Sequence, residues 1–232
     1  MYTNQSKINW QPCKLNPDCE CGYLTVPQDY EQPTSEMLKL QVTIHRAEKK
    51  KQGVLIYKGG GPWGNDVITI QQLVGGQYLA PSITDHFDVV GINVRGVTPN
   101  SVLCHSDDKT KVREIKERLW QSDFGTDEGA SEAYILTEEK TTLCEYGPMA
   151  DYVSTKNTVK DLDQLRIVLE ENQIFFYGES YGTRLGLAYL TAYPENVARM
   201  VFDATVIPTN DFFDFALYDS ASMEETIKRF FD

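Results

Sequence analysis

The sequence predicts an α/β fold, a mostly parallel sheet with helices on both faces, and three observations carry that reading. Three short apolar runs, VLIY (54–57), FDVVGIN (87–93) and IFFYG (174–178), look like strands buried on both faces, and each leads into glycine. A helical pattern, TKNTVKDLDQLRIVLEEN (155–172), lies between the last two. A Gly-x-Ser-x-Gly, with Ser180 at its centre, sits where the third run ends and a second helical pattern begins. Parallel strands need long crossover connections, and helices are the usual way to supply them.

The elements follow in order. GYLTVP (22–27) and KLQVTIHRA (39–47) read as strands, the second alternating Leu40, Val42 and Ile44 with polar residues. The turn-rich DYEQPTSE between them predicts an antiparallel hairpin. In 155–172, Val159, Leu162, Leu165, Val168 and Leu169 fall on one helical face, with Ser154 or Thr155 placed to cap it. After Ser180 a helix runs to about Tyr193, where Pro194 stops it, and ARMVFDA (198–204) reads as one more strand. Residues from about 105 to 150 break the rhythm: they are polar and mixed in charge, with a helix expected in KVREIKERLW (111–120) and an acidic, Gly-containing stretch after it. This segment reads as a solvated insertion. A lid is the functional alternative, because the segment follows the C-terminal end of a strand, where α/β sites form.

A chain of 232 residues is long enough for one domain with a buried core. Hydrophobic residues at 41% and charged ones at 24% fit a folded chain rather than a disordered one. A formal charge of −12 argues against a nucleic-acid or anionic-membrane surface, since both recruit Lys and Arg in excess. No apolar run approaches membrane-spanning length, and MYTNQSKINWQP lacks the charged-then-apolar layout of a signal peptide. Cys13, Cys19 and Cys21 crowd a turn-rich stretch, whereas Cys104 and Cys144 stand apart. A zinc site would want two close ligand pairs and finds one, so no metal is expected. Disulfides fit better: Cys104 with Cys144, and one bridge among the N-terminal three. They point to a secreted or periplasmic protein; free thiols, the alternative, would suit the cytoplasm.

By chance a Gly-x-Ser-x-Gly turns up in roughly one chain in ten of this length, so its setting decides its meaning. Here IFFY precedes it and YGTRLGLAYLTAY follows, the strand-then-helix context of a nucleophile elbow. In such an elbow the serine sits at a strained, sharp turn, and a Cβ at Gly178 or Gly182 would collide with neighbouring chain. The helix N-terminus adds positive potential for the anion formed in acyl transfer. Ser180 is therefore the candidate nucleophile, a purely structural turn being the alternative. KGGGPWGND (58–66) also follows a strand directly, and its glycines let backbone N–H groups approach a ligand. The amides of Gly61 and Tyr181 are the candidate oxyanion pair. A phosphate cradle is the weaker reading, for want of a Gly-Lys-Ser/Thr ending.

Four stretches in this order, CGYLTVPQDYEQP, VLIYKGGGPWGN, FDVVGINVRGVTPNSVLC and DLDQLRIVLEENQIFFYGESYGTRLGLAYLTAYPENVARMVFDATVIP, resemble the N-terminal half of the α/β-hydrolase serine peptidases of the prolyl and tripeptidyl aminopeptidase family. The resemblance covers nearly the whole chain, from Trp10 to Pro208. It implies the α/β-hydrolase fold, Ser180 as nucleophile, Gly61 and Tyr181 at the oxyanion hole, and a Cys104–Cys144 disulfide. It also implies a peptide substrate trimmed from a free N-terminus; no cofactor is expected. The chain departs from the family at Trp63, which stands where the loop usually carries glycine. It departs again at Asn93, Val94, Arg95 and Gly96, where Asp-Pro-Arg-Gly is usual.

Family members continue past the sixth strand into a cap and then two more strands bearing the catalytic Asp and His. Here the residues from about 209 to 232 read as the start of a cap, with a capping box at Ser222 and Glu225, and no histidine follows Tyr181. The expectation is an N-terminal portion of a larger hydrolase that lacks the usual acid and base. Its expected partners are a separate C-terminal polypeptide, or a second copy through the raw sheet edge beyond ARMVFDA. His45 and His86 are expected at the end of the sheet opposite the elbow. That leaves His105 as the candidate substitute base and Asp203 as a candidate substitute acid, a loop-capping carboxylate being the alternative reading of Asp203. Glu179 is expected to point away from the site. An inert fragment or binding module and an esterase are the competing functions.

Overall fold

The computed structural model describes residues 7–32, 36–97, 106–206 and 212–231. Its sheet contains β1 (Gln11–Pro12), β2 (Glu20–Pro27), β3 (Met37–His45), β4 (Gly53–Lys58), β5 (Phe87–Ile92), β6 (Ile174–Glu179) and β7 (Val197–Asp203). The strand order is β1-β2-β3-β5-β4-β6-β7. β1, β2, β3 and β5 pair antiparallel, while β5, β4, β6 and β7 run parallel. The expected hairpin is therefore present, joined to a parallel sheet.

Residue alternation in the hairpin decides which side chains go inward. The register pairs Leu24 with Leu40 and Val26 with Leu38, and all four are buried. On the other face Cys21, Tyr23 and Thr25 oppose Thr43, Gln41 and Lys39.

The helices are α1 (Asp66–Gly75), α2 (Pro81–Thr84), α3 (Lys109–Gln121), α4 (Asp127–Leu143), α5 (Thr155–Val168), α6 (Tyr181–Ala192) and α7 (Phe212–Phe231). α1 packs on one sheet face over β3 and β5. On the other, α5 and α6 set Val159, Leu162, Leu165, Leu185 and Tyr189 into one continuous core with the strands. Each such buried side chain contributes about 1.5–3 kcal/mol relative to exposure.

Ser154 caps α5, its hydroxyl accepting from Asn157 N at 3.2 Å. The helix ends at Val168 rather than at 172. Glu170 takes a left-handed φ of 60°, and Glu171 N donates back to Arg166 O at 3.1 Å, which closes the last turn. A bidentate ion pair locks α5 to the segment after β5: Arg95 donates to both Asp161 oxygens at 2.7 Å, and Tyr30 OH donates to the same carboxylate at 2.7 Å. Arg95 also donates to the carbonyls of Gln28, Tyr152 and Pro27, so this buried cation has a full set of partners.

Within the polar insertion the structure places two helices where the sequence pattern gave one. Asp108 caps α3 and Thr126 caps α4, and Val112, Ile115, Ala133 and Leu136 form a small buried seam between them. The capping box expected at Ser222 and Glu225 is overturned. α7 starts ten residues earlier, with no Gly or Pro from 212 to 221 to break it, so Ser222 lies mid-helix and Glu225 pairs with Arg229 instead.

Cys13 and Cys21 form the bridge expected within the N-terminal three, and Cys19 is a buried free thiol. Cys144 is also disulfide-bonded, and its expected partner, Cys104, lies outside the described residues. Among the described residues no helix is long and apolar enough to cross a membrane.

Candidate active site

The C-terminal ends of the parallel strands meet at one edge: Lys58 is level with Gly178, and Glu179 with Asp203. Ser180 stands at this edge, between β6 and α6. Its backbone has φ 52° and ψ −119°, a conformation that L-residues rarely hold and that the surroundings must impose. Three hydrogen bonds do so. Ser180 N donates to Asp203 O at 3.0 Å, and Ser180 O accepts from Thr183 N at 2.9 Å and from Thr183 Oγ1 at 2.7 Å. The serine hydroxyl does not cap α6, which leaves it available for chemistry.

Both flanking glycines are required by close approach. A Cβ on Gly178 would lie 2.6 Å from Gly182 O, and one on Gly182 would run into Lys58 O. Real Cβ atoms essentially never come that near, so the turn closes only with hydrogen at both positions.

The glycine loop after β4 lies against the nucleophile. A Cβ built on Gly60 would fall 3.4 Å from Ser180 Cβ and 3.6 Å from Ser180 Oγ, so Gly60 is the loop glycine packed on the serine. Gly61 follows at φ 127°, a conformation open to glycine, where a Cβ would meet the backbone of Trp63 and Gly64. A buried ion pair anchors the loop at both ends: Lys58 donates to Asp66, which also accepts from Gly59 N at 3.0 Å. Burial raises the Asp66 carboxyl pKa, while the Lys58 ammonium and the Gly59 amide pull it down.

Trp63 is 75% exposed and does not fill the loop. Asn93 accepts from Val67 N at 3.3 Å and donates to Gln41 at 3.1 Å, tying the start of α1 to the hairpin.

The two carboxylates beside Ser180 are held by a pair of tyrosines. Tyr57 and Tyr177 stack with ring centroids 5.6 Å apart. Tyr57 OH donates to Glu179 at 3.0 Å, and Tyr177 OH donates to Asp203 at 2.7 Å. The hydrogen bond to Asp203, with burial as the second cause, pushes the Tyr177 phenol up to about 12. Tyr181 OH lies 2.9 Å from Thr155 Oγ1, joining the first turns of α5 and α6.

The two described histidines are elsewhere. His45 is level with Val89 near the start of β5, its Nδ1 at 3.1 Å from Asp18 O. His86 precedes β5, with Nδ1 at 3.1 Å from Lys50 O. Both occupy the edge opposite Ser180, about one strand length away, roughly 17 Å for six residues. His105 lies outside the described residues.

The structure therefore brings together Ser180, the glycine loop, Tyr181 and Asp203. The Lys58–Asp66 anchor and the Tyr57–Tyr177 pair escaped the sequence reading. Their only signals were a lysine ending an apolar run, and a tyrosine at the end of each of two runs.

A strained serine between a parallel strand and a helix, facing a glycine loop from the neighbouring strand, defines a hydrolase scaffold. The chain belongs to the alpha/beta hydrolase fold family, whose model matches residues 60–231. It is similar to the tripeptidyl aminopeptidase of Streptomyces lividans, 32% identical in an alignment of 215 positions that covers 88% of this chain and 39% of that protein. It is also similar to a serine protease of Mycobacterium tuberculosis, 31% identical over 217 residues, covering 88% of this chain and 40% of that one. The chain thus spans about two fifths of the length of these curated relatives. Among solved structures, an alpha/beta hydrolase from Novosphingobium aromaticivorans covers 80% of this chain and 44% of its own, at 14% identity and a TM-score of 0.45.

Proposed function

We propose that this chain carries the nucleophile and oxyanion loop of a serine hydrolase that releases residues or short peptides from peptide N-termini. The observation that carries the proposal is the Ser180 backbone at φ 52° and ψ −119°, strained into a turn that frees its hydroxyl. Ser180 Oγ attacks the acyl carbon and its proton passes to a base. The amides of Gly61 and Tyr181 hold the oxyanion, the amine leaves with a proton, and water cleaves the acyl-enzyme. The peptide substrate class rests on the names of the relatives, a tripeptidyl aminopeptidase and a serine protease.

The placement of His45 and His86 at the far edge supports a base and acid brought by a further polypeptide. His105 is the candidate within the chain. Asp203 accepts from Tyr177 through Oδ2, so its other oxygen would have to orient the base for it to serve as the acid. The Cys13–Cys21 bridge and the bonded Cys144 support an oxidising compartment, secreted or periplasmic.

A fluorophosphonate probe tests the proposal. Labelling that disappears in Ser180→Ala establishes an activated nucleophile, and loss in His105→Ala assigns the base to this chain. No labelling in a folded chain favours the inert reading. In a labelled protein, faster turnover of short-chain esters than of aminoacyl or tripeptidyl amides would replace peptidase with esterase.

A further inference from the structure

The outer face of the β2–β3 hairpin forms the floor of a groove of about 760 Å³, far in the strand order from Ser180. The floor is the polar row set by alternation: Tyr23 beside Gln41 and Thr25 beside Lys39. One wall is β1, fastened to β2 by the Cys13–Cys21 bridge, and the other is α1, through Val67 and Gln71. From Cys21 to Thr25 the floor runs four strand steps, about 13 Å, room for roughly four residues of extended peptide.

Two independent features give this groove a preference. The first is charge. The chain has 34 acidic and 22 basic residues, yet among the described residues Lys7, Lys14 and Lys39 line the groove and no acidic residue does. A positive strip on an acidic protein attracts anions locally, while the net charge repels long polyanions. The second is Gln71. It is 5% exposed, and its Nε2 donates to Val67 O at 2.8 Å and to Thr43 Oγ1 at 3.4 Å. Its Oε1, sealed from solvent, has no hydrogen-bond partner among the described residues, and a buried acceptor without a donor carries a desolvation cost that a ligand N–H reaching it would remove.

We propose that this groove binds an acidic peptide segment in extended conformation. Peptide carboxylates meet Lys7 and Lys14, a peptide N–H donates to Gln71 Oε1, and the exposed faces of Tyr23 and Leu15 take apolar side chains. A phosphate ion would satisfy the lysines but not the glutamine acceptor. A neutral peptide would do the reverse. The bridge holds the wall in place before binding, which lowers the ordering cost of association. The inference goes beyond the chemistry of Ser180 and does not depend on it.

Fluorescence anisotropy on the Ser180→Ala chain tests it. The probe is a labelled hexapeptide of Glu and Ala, acetylated and amidated at its ends, compared with its Gln counterpart and with inorganic phosphate as competitor. The acidic peptide should bind, weaken in high salt, and lose about tenfold in affinity in the Lys7→Gln/Lys14→Gln double variant. Gln71→Leu should weaken the peptide severalfold while leaving phosphate binding unchanged. Gln71 is buried, so the exposed lysine pair decides the matter if that variant does not fold. Equal affinity for the Gln peptide, an unchanged double variant, or phosphate binding as tightly as the peptide would each overturn the proposal. Failure of probe labelling at Ser180 would leave these affinities untouched, so the two proposals fail separately.

Discussion

The two faces of the sheet are built differently. Under α5 and α6 the core is continuous: Leu162, Leu165, Ile174 and Leu185 are fully buried, and the Arg95–Asp161 pair closes its end. On the other face Ile70 of α1 packs with the buried Val89, but from β4 towards β7 the surface opens. There Leu55, Phe87, Phe175 and Val201 line a groove of about 440 Å³, and Val201 is 57% exposed. Stability in this chain is therefore concentrated on one face, and the elbow is attached to that face: Ser180 leads into α6, and Gly182 packs on the end of β4.

Breaking the closed face should have the largest effect. Asp161→Ala would leave the Arg95 guanidinium buried without its carboxylate, at a cost of about 3–5 kcal/mol in denaturant unfolding. Next come paired truncations across the sheet. Leu165→Ala on the closed face should cost about 2–5 kcal/mol, whereas Leu55→Ala, half-buried on the open face, should cost about 1 kcal/mol or less. Equal costs would mean that the open face is covered in solution and that the asymmetry does not hold. Gly182→Ala follows, at about 1–3 kcal/mol of overpacking. Its methyl would push the start of α6 off Lys58 O, so any labelling of Ser180 should fall further than stability does. Undiminished labelling there would break the link between the elbow and its packing.

How much of this was legible in the sequence depended on periodicity. Strands with clean alternation or continuous apolar runs, such as Leu40-Val42-Ile44 and Val54 to Tyr57, were readable, as was α5 with its Ser154 cap, because local pattern and burial agree there. Ser180 was readable because the glycines that a tight turn demands leave a fixed spacing. What could not be read depends on distant partners. Lys58 looks like the polar end of a strand until Asp66 folds back onto it, and the Tyr57–Tyr177 stack joins strands that are 120 positions apart in the chain. α1 was hidden because its cap, Asn65, and its first residue, Asp66, belong to the glycine loop, and α4 because its buried residues, Ala133 and Leu136, are only two. Boundaries failed where they rest on backbone alone, as at Glu170, where no glycine announces the left-handed turn.

The smallest effect concerns the edge where the two faces meet. Tyr177 donates to Asp203 at 2.7 Å, and Asp203 in turn accepts from Ser180 N through its carbonyl, so one residue links the tyrosine pair to the elbow. The hydrogen bond holds the phenol proton more tightly in the folded chain, near 12 against about 10 unfolded. A group whose pKa is raised by folding contributes stability that is complete below its unfolded value and is lost as pH climbs through its folded value. Stability should accordingly fall across this alkaline window, by less than the core substitutions, because the tyrosine is well solvated. Tyr177→Phe should flatten that part of the pH profile and leave the neutral region nearly unchanged. Spectrophotometric titration of tyrosinate would locate the ionisation independently. If Tyr177→Phe and the parent lose stability in parallel there, the bond to Asp203 does not hold the edge. Ser180 would then owe its backbone angles to the Asp203 carbonyl, Thr183 and the flanking glycines without help from Tyr177.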